Sequence, residues 1–182
     1  YKRQVSDWLG VPFDHVRVFQ GDTDKILFGR GTFAQRSMLA GGSALKGAAD
    51  EVAAKGKKMA AWMFGTTEAE VDFEDGVFRV KNTNRVATFA EIAHQSYFGS
   101  SVPENWGVGL GGAGTYSGPS SYPNGSLICE VEVDPVTGEV KVDRLSAVDD
   151  VGVVINPLTL GGQLHGSIAQ GLGETLIEEV VY

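Results

Sequence analysis

Two stretches of this sequence combine residue types and spacings that suit chemistry. The first is "GRGTFAQRS", residues 29–37. Glycines open it, Arg36 and Ser37 close it, and a long helical pattern begins at its end. The first N–H groups of a helix have no partner within it, and its summed peptide dipoles make that end partly positive. Glycines such as Gly31 let the backbone approach a ligand closely, so the combination suits an anion, phosphate above all. The net charge of −8 is no obstacle, because backbone donors bind phosphate without lysine. Taken alone, the same pattern also describes a capped helix that holds nothing.

The second is "NPLTLGGQLHGSIAQGLGETLIEE", residues 156–179. Leu164, Ile168, Leu172 and Leu176 mark a helical stripe. Gly161, Gly162, Gly166, Gly171 and Gly173 lie within or beside it, and each interior glycine costs about 1 kcal/mol of helix stability relative to alanine. Two explanations are open. Another helix packs there at backbone distance, or a flat ligand does, and Gln163 then offers a two-pronged amide to the edge of a heterocycle.

Other patterns carry less. "GLGGAG", residues 109–114, satisfies the dinucleotide fingerprint, but "TYSGPSSYPNG" follows it and cannot form the helix that the fingerprint needs. It reads as a surface or lining loop. No G-K-[ST] phosphate loop occurs. His15, His94 and His165 lie far apart and pair with no other ligand at metal-binding spacing, so no protein-ligated metal is expected. No catalytic residue is assigned from spacing.

These stretches need elements to hold them. Val5, Trp8 and Leu9 share a helical face ahead of Gly10, a natural stop. "HVRVFQ", residues 15–20, alternates as a half-buried strand does, and residues 20–36 read as a loop. A helix is predicted from Ser37, as N-cap, to about Phe64, with Leu45, Ala49, Val52, Met59 and Met63 on its stripe. "AEVDFEDGVFRV" is a hairpin around Asp75-Gly76. "TFAEIAHQSY" opens a helix with a capping box, Thr88 to Glu91. Residues 99–125, rich in Gly, Ser and Pro, read as a long irregular loop. A second hairpin turns at Asp134–Gly138. Asn156-Pro157 then starts a final helix expected to reach Val180. Two strand pairs with helices between them give an α+β fold: hairpins packed with a long helix and a glycine-rich C-terminal one.

The 182 residues are 42% hydrophobic, enough for a core. No basic cluster suggests nucleic acid, and no apolar run approaches the roughly 18 residues of a membrane span. The one cysteine, Cys129, makes no internal disulfide and fits a reducing, cytoplasmic setting. The chain opens on Tyr1 within a helical pattern and closes on the apolar "EEVVY", so residues 1–182 are expected to be a single domain or a fragment of a longer polypeptide.

Both chemical stretches occur together in one family. The chain resembles the molybdenum-binding large subunit of the xanthine dehydrogenase / aldehyde oxidase / carbon monoxide dehydrogenase family of molybdenum hydroxylases. The resemblance covers nearly the whole chain, from "LGVPFDHVRVFQGDTD" through "GRGTFAQRSMLAGGSALKGAADEV" and "EVEVDPVTGEV" to "DDVGVVINP" and "GGQLHG". It implies part of a molybdopterin-binding domain of an oxidoreductase that hydroxylates an aldehyde, an N-heterocycle or a similar substrate with oxygen from water. The implied cofactor is molybdenum on molybdopterin, often a cytosine dinucleotide in bacteria. [2Fe-2S] clusters and FAD in other domains or subunits, the rest of the large subunit, and a dimeric assembly are implied as partners.

Carried over by motif, the family's cofactor loop falls on Gly31 and on Ala34, Gln35, Arg36 and Ser37. Its pterin-contacting glutamine falls on Gln163, beside Gly162. Many relatives have serine at the position of Gln35. The family's catalytic glutamate and its upstream Gly-Gln loop have no counterpart here. Glu174, in "GLGET", imitates the glutamate motif but sits too early to be assigned. The isolated chain is therefore expected to be inactive. The alternative function is a non-catalytic module that keeps the fold and binds an anion or nucleotide.

Overall fold

The computed structural model describes every residue except Leu27, Arg30 and Gln35. The chain divides into two units, Tyr1–Pro119 and Ser120–Tyr182, and its helices and antiparallel hairpins make an α+β fold.

In the first unit, helix α1 (Lys2–Leu9) buries Leu9 and stops at Gly10, whose φ of +59° is the left-handed conformation glycine adopts freely. Strands β1 (Val71–Glu74) and β2 (Val77–Val80) pair in the register Val71 to Val80 through Glu74 to Val77. Asp75 and Gly76 both have positive φ, 48° and 74°, the two-residue turn whose twist matches that of the strands. A Cβ on Gly10 would stand 2.0 Å from the Gly76 amide nitrogen, so α1 meets the hairpin tip backbone to backbone.

A third strand, β3 (Val86–Thr88), pairs with β2. Only three residues long, it is too short to show an alternating pattern, and the sequence reading missed it. Helix α3 (Phe89–Phe98) follows with the capping box complete: Thr88 Oγ1 accepts from the Glu91 amide at 3.2 Å, and Glu91 accepts from the Thr88 amide at 2.7 Å.

Helix α2 (Ser43–Phe64) lies across this sheet. Met59, Phe78, Ile92 and Val71 are fully buried, and Phe73 stacks on Phe78 with ring centres 4.4 Å apart. The core face of α2 runs through Ala49, Gly56, Met59, Ala60 and Ala61. Leu45 and Val52 are half-buried, but Met63 has rotated to the surface at the helix end.

Two further expectations fail here. Ser37 does not cap the helix. It is the first residue of a π-helical turn, Ser37–Gly42, that leads into α2, and Arg36, at the N-cap position, makes no side-chain cap. "HVRVFQ" is not a strand: Phe13–His15 form one turn of 3₁₀ helix, and residues 16–20 pair with no strand among the described residues, leaving Val18 and Phe19 exposed. Alternation favours extended backbone, but a strand also needs a partner with which to share its hydrogen bonds.

"GLGGAG" is neither a dinucleotide turn nor a free surface loop. Leu110 enters the core. Cβ atoms on Gly112 and Gly114 would stand 2.5 Å and 1.9 Å from the carbonyl oxygens of Ala48 and Ala44, so the loop lies on α2 at a distance only glycine permits. Glu51 accepts from the Ala113 amide at 2.9 Å, and Lys55 bonds both Glu51 and the Gly111 carbonyl.

In the second unit, β4 (Asn124–Val133) and β5 (Val140–Asp150) form a long hairpin, with a register shift between Glu130 and Val131. Its turn falls at Asp134–Gly138. Asp134 accepts from the amides of Val136 and Thr137 at 2.7 and 3.1 Å, which holds its carboxyl below the usual range. Helix α4 (Pro157–Leu176) starts with Asn156 as N-cap, accepting from the Leu158 amide at 3.1 Å. It ends at Leu176 rather than Val180: the Ile177 amide makes the last regular bond, to the Gly173 carbonyl at 2.9 Å, and the Glu178 amide turns back to that same carbonyl, five residues away, at 2.9 Å.

Candidate functional site

The loop ahead of α2 opens on a cavity of about 630 Å³ in the first unit, a size typical of small-molecule sites. Gly31, Arg36 and Ser37 line it, three of the residues singled out from the sequence. Gly31 has φ +75°, and among the described residues no atom lies within 4 Å of where its Cβ would stand. Ala34, exposed beside them, also takes a left-handed φ of 48°, unusual for a residue with a side chain. Gln35 lies outside the described residues.

Arg36 is half-buried, and its guanidinium sits 4.6 Å from the centre of the Phe33 ring. That stacking fixes the fork without neutralising it. Its amide donates to the Phe33 carbonyl at 3.1 Å and is not among the free donors expected of a helix start. Ser37 Oγ shares a hydrogen bond of 2.7 Å with Thr32 Oγ1, tying one end of the loop to the other, and the Ser37 carbonyl accepts from the Tyr1 hydroxyl.

Gln20, Asp22 and Thr23 also line the cavity, with Phe28 and Tyr1. None was singled out, although the polar run Gln20–Asp24 just before the glycine loop is a signal that could have marked them. Asp22 anchors its own turn: its carboxylate accepts from the Asp24 amide at 3.1 Å, and Lys25 lies 3.5 Å away. Among the described residues the cavity offers the Arg36 guanidinium, hydroxyls, an amide side chain and glycine backbone, a donor-rich set suited to a phosphate and to a polar heterocycle. Molybdopterin presents both, so these residues fit the group.

In the second unit, Gly162 and Gln163 lie exposed on α4. Cβ atoms on Gly161, Gly162, Gly166 and Gly171 would have no atom of the unit within 4 Å, so no packed helix of this unit accounts for these glycines. Leu164, Ile168 and Leu172 are half-buried. Ile168, Leu172 and Leu176 share a cavity of about 440 Å³ with Leu127, Val131 and Leu145 of the hairpin, so this stripe is the packing face of α4. His15, His94 and His165 are all exposed, the last on α4.

A model of the molybdopterin cofactor-binding domain matches residues 1–182. The chain is 35% identical over 184 residues to the carbon monoxide dehydrogenase large chain of Hydrogenophaga pseudoflava, covering 100% of this chain and 23% of that one. To the nicotine 6-hydroxylase large subunit of Paenarthrobacter nicotinovorans it is 35% identical over 185 residues, covering 98% and 22%. A crystal structure of Cu,Mo-CO dehydrogenase in its carbon monoxide reduced state is similar with a TM-score of 0.89 and 33% identity, over 100% of this chain and 23% of that one. The chain thus spans less than a quarter of the length of the curated relatives it matches.

Proposed function

The chain belongs to the molybdopterin cofactor-binding domain family, and on that premise we propose that it is the cofactor-holding part of a longer molybdenum hydroxylase. That enzyme would be an oxidoreductase acting on an aldehyde, an N-heterocycle or a similar small substrate. The observation that carries the reading is the 630 Å³ cavity lined by Gly31, Arg36 and Ser37.

When bound, the cofactor supplies the redox chemistry by which a carbon centre gains oxygen from water. The chain's own residues bind and orient. Arg36 presents a guanidinium fork to phosphate, held in place by Phe33. Gly31 and Ala34, both left-handed, turn the backbone so that it can lie against a flat group. Thr32 and Ser37 close the loop on itself, which lowers the cost of ordering it when the cofactor binds. From the second unit, Gly162 and Gln163 are proposed as pterin contacts on the strength of their motif.

The proposal extends to the rest of a large subunit, to [2Fe-2S] and FAD domains or subunits, and to a dimeric assembly. Relatives named as a large chain, a large subunit and a complex subunit gamma support a multi-subunit setting. No described helix is long and apolar enough to cross a membrane, and with Cys129 as the one thiol we assign the protein to the reducing cytoplasm.

The test is elemental analysis and pterin fluorescence on the purified longer polypeptide. Molybdenum and pterin in equal amounts, near one per chain, are expected. A nucleotide bound without molybdenum, or neither, contradicts the proposal.

A further inference from the structure

We infer that Tyr1 is a positioning residue for the cofactor: its hydroxyl holds the carbonyl of Ser37 and so fixes the turn on which the 31–37 loop ends. The inference rests on the proposed role of that loop. A π-helical turn is rare and occurs mostly as a single turn joined to an α-helix, frequently at functional sites. Tyr1 acts on Ser37–Gly42 at two points. The Tyr1 hydroxyl donates to the Ser37 carbonyl. The Tyr1 side chain also lies against Gly41, where a Cβ would stand 2.3 Å from the phenol oxygen and 3.2 Å from Cζ. Glycine at position 41 is therefore what lets the phenol reach the carbonyl.

Tyr1 is itself held. It is the N-cap of α1, its carbonyl accepts from the Val5 amide at 3.1 Å, and α1 packs on α2. Its side chain lines the same cavity as Gly31 and Arg36. On the opposite side of Ser37, the hydroxyl is tied to Thr32 at 2.7 Å. Ser37 is thus fixed at both its carbonyl and its hydroxyl, and the direction in which Arg36 and Ser37 meet the cavity follows from those two bonds. Without the phenol oxygen the Ser37 carbonyl loses that bond, the turn can relax toward α-helical geometry, and the loop loses its set position while the core beneath stays intact.

The test uses the longer polypeptide purified with its cofactor. Release of molybdopterin is followed by pterin fluorescence in mild denaturant, below the unfolding transition, and thermal midpoints are measured on cofactor-free protein. Tyr1→Phe removes only the hydroxyl and should speed release about fivefold, the equivalent of about 1 kcal/mol for one hydrogen bond, with an unchanged midpoint. Gly41→Ala, which displaces the phenol, should do the same. The double variant should be no faster than either single one, because both act through one bond. Wild-type release from Tyr1→Phe, release that merely follows a lowered midpoint, or multiplied effects in the double variant would each overturn the inference. A wild-type polypeptide that carries no molybdopterin overturns instead the function on which it rests.

Discussion

The two units form their elements by the same local rules but are held together very differently. In Tyr1–Pro119, Met59, Val71, Phe78 and Ile92 are sealed between α2, α3 and the three-stranded sheet. In Ser120–Tyr182, every residue of β4 is exposed and α4 has no buried residue. Turns and caps are as well made in the second unit as in the first: Asp134 closes its turn and Asn156 caps α4. Local chemistry therefore sets where an element begins and ends, whereas burial sets how much removing one side chain costs. The loop with the built cavity sits on the unit that has the core.

Truncation should expose this contrast most strongly. Phe78→Ala removes a fully buried ring and should destabilise the chain by about 3–5 kcal/mol in urea unfolding. Ile168→Ala on half-buried α4 should cost about 1 kcal/mol, well under the 1.5–3 kcal/mol of a fully buried aliphatic side chain. Equal costs would erase the distinction between the units.

Overpacking should give the next largest effect. A Cβ on Gly56 would stand 2.3 Å from Phe78 Cζ, so the ring, fully buried, must shift to admit it. Gly56→Ala should cost about 1–3 kcal/mol, while Gly162→Ala, whose Cβ would meet no atom of its unit, should leave unfolding unchanged or slightly favour α4. A tolerated Gly56→Ala would mean that the first core is looser than its geometry indicates.

Caps should matter alike in the two units, since they act locally. Thr88→Ala and Asn156→Ala should each cost about 1 kcal/mol, measured for α3 by denaturation and for α4 by amide hydrogen exchange. A large difference between them would show that burial governs the element ends as well.

The smallest effect concerns pH. The bond from Lys55 and then the Ala113 amide hold the Glu51 carboxyl below the ordinary carboxylate range. A lowered folded value means that this contribution is complete above the usual glutamate value of about 4.3 and fades as pH falls through the lower folded one. The Ala113 amide should therefore lose exchange protection only in acid below that value, and Glu51→Gln should remove the pH dependence. Protection already lost near neutral pH would mean that Glu51 does not hold the loop.

Much of this was legible beforehand wherever a single residue type answers a single local need. Asp75-Gly76, Thr88 with Glu91, Asp134–Gly138 and Asn156-Pro157 each mark a turn or cap with its own side chain. What escaped depends on partners distant in the chain. "HVRVFQ" has the alternation of a strand but no strand to pair with. β3 is a strand only because β2 accepts it. Gly112 and Gly114 look like a ligand loop until α2 is found beneath them. At the site, Gly31, Arg36 and Ser37 were visible through their place before a helix. Gln20, Asp22 and Thr23 are marked only by their polar run before the glycines, Tyr1 reaches the same cavity only through the fold, and nothing local in the sequence announces the π-helical turn that replaced the expected serine cap.

The central claim is that the left-handed loop of the well-packed unit holds the cofactor, and one position tests it most directly. Ala34 has φ +48°, which proline, fixed near −65°, cannot adopt. In the longer polypeptide, Ala34→Pro should fold, as judged by circular dichroism, yet retain about a tenth or less of the wild-type molybdenum and pterin, a loss of about 1.4 kcal/mol or more in binding. Ala34→Gly, at ease in that conformation, should retain all of it. A folded Ala34→Pro variant with full cofactor would contradict the account and move the binding determinant away from this loop.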